Sequence, residues 1–348
     1  MTSYERVLKA CAFQRPDRIP RFDTLWEYPD SWRERLGPPE DLVDIAIWAP
    51  DETFFPTRKR ILKEESGWIY EIDGWGRLTR RRPEAYFVET LEVPLAPGTD
   101  IDKVVFDSPE MNERYQMDCP DRASLEAKLA EAKRRHCVFG KTGGPYLRTT
   151  YARGEEQFLI DIAGDPPLAR ALADKVADHL IAIGCAQIRR YGLQDTGIWI
   201  YDDIAHNNGL MFHPVSFERI FLPAYRRMIR AYKEAGARYV IFHSDGDIRS
   251  VLDMLIDAGI DGLHPLERRA GMHPVKLRAR YPHLILIGGM CNTDTLINGP
   301  AEKIIAEARE IIDLGRDGGV IIGTHSVSPE VPLENFALYH EVCLNYGC

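Results

Sequence analysis

The stretch 239–266, YVIFHSDGDIRSVLDMLIDAGIDGLHPL, decides the fold. It opens with a short β-branched and aromatic run, Tyr239–His243, and crosses a polar turn. A helical pattern then spans 247–258 and Gly259 closes it, before a second short run at 261–265. Short apolar runs bounded by glycine or proline read as strands buried on both faces. Strand, helix and strand in direct succession call for parallel pairing.

The same unit repeats on either side. Upstream runs are 18–23 (RIPRFD), 44–48 (DIAIW), 137–141 (CVFGK) and 198–201 (IWIY). Downstream runs are 284–288 (LILIG) and 320–323 (VIIG), which makes eight. Helical patterns lie between them. One opens at Asp165-Pro166, an N-cap aspartate followed by proline at the first helical position, and closes at Gly192. Others cover 216–235 and 301–314, each ending at a glycine. Eight such strands predict an α/β fold that closes as a (β/α)8 TIM barrel, with a doubly wound open sheet as the alternative. The segment 67–93 breaks the rhythm: it alternates apolar and polar residues and carries an Asp73-Gly74 turn signal. It reads as a β-hairpin excursion, 66–95, over the barrel mouth. The expectation is one barrel domain, 1–348, with an N-terminal extension.

Composition narrows the class. At 348 residues and 45% hydrophobic, the chain has material for a large core. The formal net charge of −9 argues against nucleic-acid binding, which needs a basic face. The basic runs 58–60, 80–82 and 133–135 are short and read as solvated surface. No apolar run is long enough to span a bilayer, so no membrane is expected. Charges at Glu5, Arg6 and Lys9 leave no signal-peptide core, and the expected location is cytoplasmic. Seven scattered cysteines (11, 119, 137, 185, 291, 343 and 348) show no C-x-x-C spacing, which argues for free thiols.

In a barrel, chemistry sits at the C-terminal ends of the strands. Five successive runs end in groups able to bind metal or move protons. They are Asp202, Asp203 and His206 after IWIY, and His243 and Asp245 after YVIF. Glu267 follows DGLHP, Cys291 follows LILIGG, and His325 follows VIIGT. His243 and Asp245, two apart, share a face if the strand continues through them. With His325, and Glu267 as a fourth ligand, they could hold one divalent ion, zinc first. Taken singly, a histidine at a strand end is more often a hydrogen-bonded structural group. Asp202 and Asp203 are candidate catalytic acids or bases; neighbours on a strand face opposite ways, so one of them reaches the pocket. Gly140-Lys141-Thr142 is not a P-loop, because Arg135 stands where the first glycine is needed. No G-x-S-x-G elbow supports a serine hydrolase.

The opening ERVLKACAFQRPDRIP resembles the start of the uroporphyrinogen decarboxylase superfamily, and of its methyltransferase branch in particular. The resemblance continues through YDDIAHNNGLMFHPVSFERIFLP, FHSDGDI, DAGIDGLHPLE, AGMHPVKL, LILIGGMCNTDTL, DGGVIIGT and VPLENF. It implies a (β/α)8 barrel with an N-terminal extension. The decarboxylase motif M-R-Q-A-G-R is absent; RFDTLWEYPDSW stands there, with only Arg21 retained as a substrate-binding candidate. The methyltransferase branch carries H-x-C-G and a later cysteine, which hold zinc for transfer between corrinoid proteins and thiols. Here those positions read His243-Ser244-Asp245-Gly246 and His325. Both thiolates are thus replaced by harder ligands, which suit a more Lewis-acidic ion. Cys291 stands where the family more often has an acidic or amide residue; it is a spare ligand or simply packed.

The resemblance therefore implies metal-assisted methyl transfer between a small molecule and a corrinoid protein. Asp203 and His206 would position substrate or shuttle protons, and Tyr201, Asn207 and Cys291 would line its site. A metal-free decarboxylase or lyase using Asp202 or Asp203 is the alternative. A non-catalytic binding protein is the third reading. A homodimer is the default for such barrels.

Overall fold

The computed structural model describes residues 1–25, 27–85 and 88–346. Strands follow in chain order. β1 is Ile45–Trp48; β2 (Arg60–Glu65), β3 (Trp68–Ile72), β4 (Leu78–Arg81) and β5 (Glu89–Glu92) form a separate meander. Then come β6 (Cys137–Gly143), β7 (Gly197–Tyr201), β8 (Ala205–His206), β9 (Gly209–Leu210), β10 (Tyr239–His243), β11 (Gly262–His264), β12 (Ile285–Met290) and β13 (Val320–Thr324). Seven of them make one parallel sheet in the order β1-β6-β7-β10-β11-β12-β13. This is the succession the alternating pattern predicts, with helices as crossovers.

The sheet is curled, and its two faces sort by residue parity. Phe139, Trp199, Ile241, Ile287 and Ile321 pack together on the inner side. Ile198, Ile200, Val240, Phe242, Leu286 and Ile322 pack outward against the helices. The expected N-terminal extension is the helix Ser3–Cys11, opened by a Thr2/Glu5 capping box. Its Val7 and Ala10 join the inner cluster. The Ala10 carbonyl accepts from Gly319 N at 2.6 Å, just before β13, so this helix stoppers the N-terminal end of the sheet.

The run 18–23 is no regular strand: Arg21 forms one isolated parallel bridge to Ile322. Phe22 N donates to Ile322 O at 2.9 Å and Thr24 N to Thr324 O at 3.2 Å. On the other side Asp44 N donates to Arg21 O at 2.8 Å. Pro20 has no amide hydrogen to give, which interrupts the ladder.

The excursion is larger than a hairpin. It is an antiparallel four-stranded sheet, β2-β3-β4-β5, that begins at Arg60. Tyr86 and Phe87, inside the expected hairpin, lie outside the described residues. The two outer strands, RILKEE and ETLE, are exposed along their whole length and carry no burial alternation.

The helix Pro166–Tyr191 has the caps its sequence announces: Asp165 accepts from Leu168 N at 3.1 Å, and Gly192 ends it left-handed. The pattern 216–235 is not one α-helix. Phe217–Phe221 is a π turn, and Leu222–Glu234 restarts at Pro223, which cannot donate to the turn before it. The pattern 247–258 starts two residues late, as Arg249–Ala258, because the Asp247 carboxylate accepts from Arg249 N. The cysteines at 11, 119, 137, 185, 291 and 343 are free; Cys348 lies outside the described residues. Among the described residues, no helix is long and apolar enough to cross a membrane.

Candidate metal site

Inner parity carries past the strand ends. On β7 it runs Trp199, Tyr201 and then Asp203; on β10 Ile241, His243 and then Asp245; on β13 Ile321, Gly323 and then His325. Three of these converge. His243, Asp245 and His325 each offer a ligand atom, all within 4.8 Å of one another. Nε2 of His325 lies 3.1 Å and Nε2 of His243 3.8 Å from Oδ1 of Asp245. Oδ1 of Asp203 lies 3.6 Å from the same His243 nitrogen.

The electrostatics suit a cation. Burial pushes both His243 and His325 below the ordinary histidine range, so their ring nitrogens keep lone pairs. Burial, then the neighbouring Asp203 and Glu267 carboxylates, pushes Asp245 up to about 8. Oδ1 of Asp245 is buried and has no hydrogen-bond partner; His325 Nε2 is near but poorly aligned. A buried carboxylate oxygen without a donor, facing two neutral imidazoles, matches the nitrogen and oxygen donor set of a zinc site. The residues present fit a divalent metal.

The other expected residues divide. Asp203 turns inward, its side chain 41% exposed, and accepts from Asp245 N at 3.1 Å. Asp202 turns outward and is fully buried. It accepts from Tyr146 N (2.9 Å), Leu147 N (2.6 Å) and Tyr225 OH (2.5 Å). It caps the helix Pro145–Arg153 from outside, which corrects its candidacy as a catalytic group. Burial pushes Asp202 up to about 6 against the pull of those three bonds.

Glu267 lies outside the trio: its Oε2 accepts from Gly246 N at 2.6 Å and so holds the loop that carries Asp245. His206 is exposed, and its Nδ1 accepts from Asn208 N at 3.1 Å. Asn207, Glu267, Cys291, Thr293 and His325 share a cavity of about 140 Å³ beside the trio. Within it, Cys291 Sγ accepts from Asp294 N at 3.3 Å. A larger cavity, about 370 Å³, lies at the opposite end of the sheet by Cys11 and Tyr239, away from this chemistry.

Tyr201 stacks on His243, with centroids 4.1 Å apart at 17°. Arg21 requires correction as a substrate contact. With Phe22 packed inward on Trp199, Arg21 must face outward. It is 1% exposed, paired with Asp23 at 2.8 Å, and touches Tyr339 and His340 of the last helix.

Two inward residues were not among the expected ones. Lys141, on β6, lies over the other part of this stack, its Nζ 4.5 Å from the Tyr201 ring centroid. His264, ending β11, is fully buried with Nδ1 2.7 Å from Nδ1 of His243. Strand parity was the signal for both, since each holds the last inward position of its run.

The sequence family described as uroporphyrinogen decarboxylase (URO-D) matches residues 98–346, more than half of the chain. The chain belongs to the uroporphyrinogen decarboxylase family. All three converging ligands fall inside the matched region, and the β2–β5 meander lies ahead of it. A solved methyltransferase from Methanosarcina mazei superposes over 100% of both chains, with a TM-score of 0.69 and 17% sequence identity. At that identity the likeness establishes a shared fold. Comparison with curated proteins gives no match.

Proposed function

We propose that this uroporphyrinogen decarboxylase family member is a methyltransferase-like enzyme. It transfers a methyl group between a small molecule and a corrinoid protein, assisted by zinc or another divalent metal. The fold supporting it is a (β/α)8 barrel whose eighth position is taken by the segment 20–24. The observation that carries the reading is the convergence of His243 and His325 on the partnerless Oδ1 of Asp245. These three residues would hold the metal, which supplies Lewis-acid activation of the methyl donor or acceptor.

The chain's own groups have separate work. Burial keeps both imidazoles neutral and available as ligands. Asp203 fixes the Asp245 backbone and, half-exposed at the mouth, can take a hydrogen bond from substrate. Glu267 holds Gly246 and thereby the loop. The cavity beside His325, with Asn207 and Cys291 in its wall, receives the small molecule. The corrinoid protein would dock over this strand-end face.

Metal analysis and a methyl-transfer assay test this together. We expect one equivalent of divalent metal per chain. We also expect methylcobalamin, supplied with a small nucleophile as methyl acceptor, to be demethylated to cob(I)alamin as that acceptor is methylated. The cobalt absorbance follows this step, which should stop when the metal is chelated. Protein that neither contains nor takes up metal sinks the reading. Turnover of a tetrapyrrole carboxylate by metal-free protein would establish the decarboxylase alternative, with Asp203 as its carboxylate.

A further inference from the structure

Beneath the ligand trio sits His264, in register with His243 and 0% exposed. Its Nδ1 is 2.7 Å from Nδ1 of His243, and its Nε2 is buried without a hydrogen-bond partner. Its ring packs on Phe22 (5.3 Å, edge-on) and Trp199 (5.1 Å). Two imidazole nitrogens at this distance share one hydrogen, because two lone pairs repel and two N–H groups collide.

Two arrangements remain. In one, His264 donates to His243, and Nε2–H of His243 then faces carboxylate oxygens at 3.6 and 3.8 Å, beyond hydrogen-bond reach. In the other, His243 carries its hydrogen on Nδ1 and donates to His264. That leaves Nε2 of His243 bare where Asp245 and His325 converge. His264 then holds its hydrogen on Nε2 among aromatic rings, where an N–H can rest on a ring face but a lone pair cannot. Tyr201, stacked on His243, fixes the plane of that ring but not which edge points up. The contact with His264 decides the edge.

We propose that His264 is a positioning residue that fixes the tautomer and the ring orientation of His243, presenting its Nε2 lone pair to the metal site. The use of that lone pair rests on the metal reading above; the tautomer itself does not. A histidine ligand commonly has its other nitrogen held in this way, usually by a carboxylate or carbonyl. Here a second buried histidine does it.

The test uses the full chain labelled with 15N-histidine, with His243 assigned by its absence in His243→Gln. Proton–nitrogen correlation spectra of metal-free wild type should show His243 as the Nδ1–H tautomer. His264→Leu, which removes the acceptor, should lose that single tautomer and weaken zinc binding by about 10–100-fold. His264→Asn, which puts an amide oxygen near the same place, should restore the tautomer and bring zinc affinity back to within about threefold of wild type.

The Nε2–H tautomer in wild type overturns the proposal without recourse to any variant. So does a His264→Leu protein with unchanged spectrum and affinity. Wild type that shows the expected tautomer, lost in His264→Leu, but binds no zinc supports the positioning role and refutes the metal reading instead.

Discussion

Thermal unfolding with and without zinc separates the ligands from the residues that support them. A metal that binds only the folded state at a thousandfold excess over its Kd stabilises by ~4 kcal/mol. Unfolding entropy of ~2.1 cal/mol/K per residue over 348 residues gives roughly 0.7 kcal/mol/K, so wild type should gain about 6 °C. His243→Ala, Asp245→Ala and His325→Ala each remove one of three converging donors and should show no shift at the same zinc concentration. Glu267→Gln and Asp203→Asn disturb only the bonds to Gly246 N and Asp245 N. An outer partner typically costs about 10–100-fold in affinity, ~1.4–2.7 kcal/mol, so a shift of roughly 2–4 °C should survive in each. His206→Ala, whose exposed ring holds only Asn208 N, should keep the full gain. Scanning calorimetry on chelator-treated protein, with zinc restored, measures every arm. A full shift in Asp245→Ala or His325→Ala refutes the assigned trio, and no shift in wild type refutes the metal.

Three other outcomes follow from the same geometry. Asp202→Ala strands two backbone amides and the Tyr225 hydroxyl, and should lower stability by ~3 kcal/mol while zinc binding is retained; denaturant melts and metal titration check both. Arg21→Met leaves Asp23 buried without its cation and should cost about 3–5 kcal/mol, with KM unchanged in the folded fraction; a raised KM would return Arg21 to the substrate site. His179 is pushed down to about 4, first by burial and then by Arg114, so between roughly pH 6.5 and 4 the unfolded chain binds the extra proton. Stability should therefore fall by ~3 kcal/mol as pH drops through that window, and His179→Gln should lack this part of the acid loss in urea melts at stepped pH.

Seven of the eight expected runs became strands: they are short stretches, mostly apolar, with glycine or proline in or close beside them, and burial on both faces suits that pattern. The same period of two told that only one of Asp202 and Asp203 faces inward, but it was not carried far enough to say which. It was not carried to the first run: with Phe22 inside, Arg21 had to be outside. It was also not carried into the run DGLHP, where His264 stood hidden as part of a strand rather than after one. The strand β2 gave no signal because its whole length is exposed, so polar residues were free to occupy most of its positions. Glu267 was legible as a group at a strand end. Sequence could not show that it reaches back to Gly246 rather than forward to the ion.

The strongest argument for a cation is the arrangement of negative charge. Asp203, Asp245 and Glu267 lie close enough that the other two raise Asp245. Among the described residues, none of the three pairs with a lysine or arginine; the only cation-capable groups within ion-pair distance are His243 and His325, both neutral by burial. Asp203 and Glu267 have one backbone donor each, Asp245 N and Gly246 N, and Oδ1 of Asp245 has none, whereas several buried carboxylates elsewhere are matched by arginines. Asp44 has Arg6 and Arg18, Glu52 has Arg148 and Gly143 N, and Asp161 has Arg153. Like charges gathered with no lysine or arginine in ion-pair contact destabilise the fold, and a bound divalent ion reverses the sign of that interaction. It follows that Asp245→Asn should make the metal-free protein more stable than metal-free wild type and the zinc-treated protein less stable than zinc-treated wild type. That crossing of melting temperatures is what a ligand produces and what a purely structural aspartate does not.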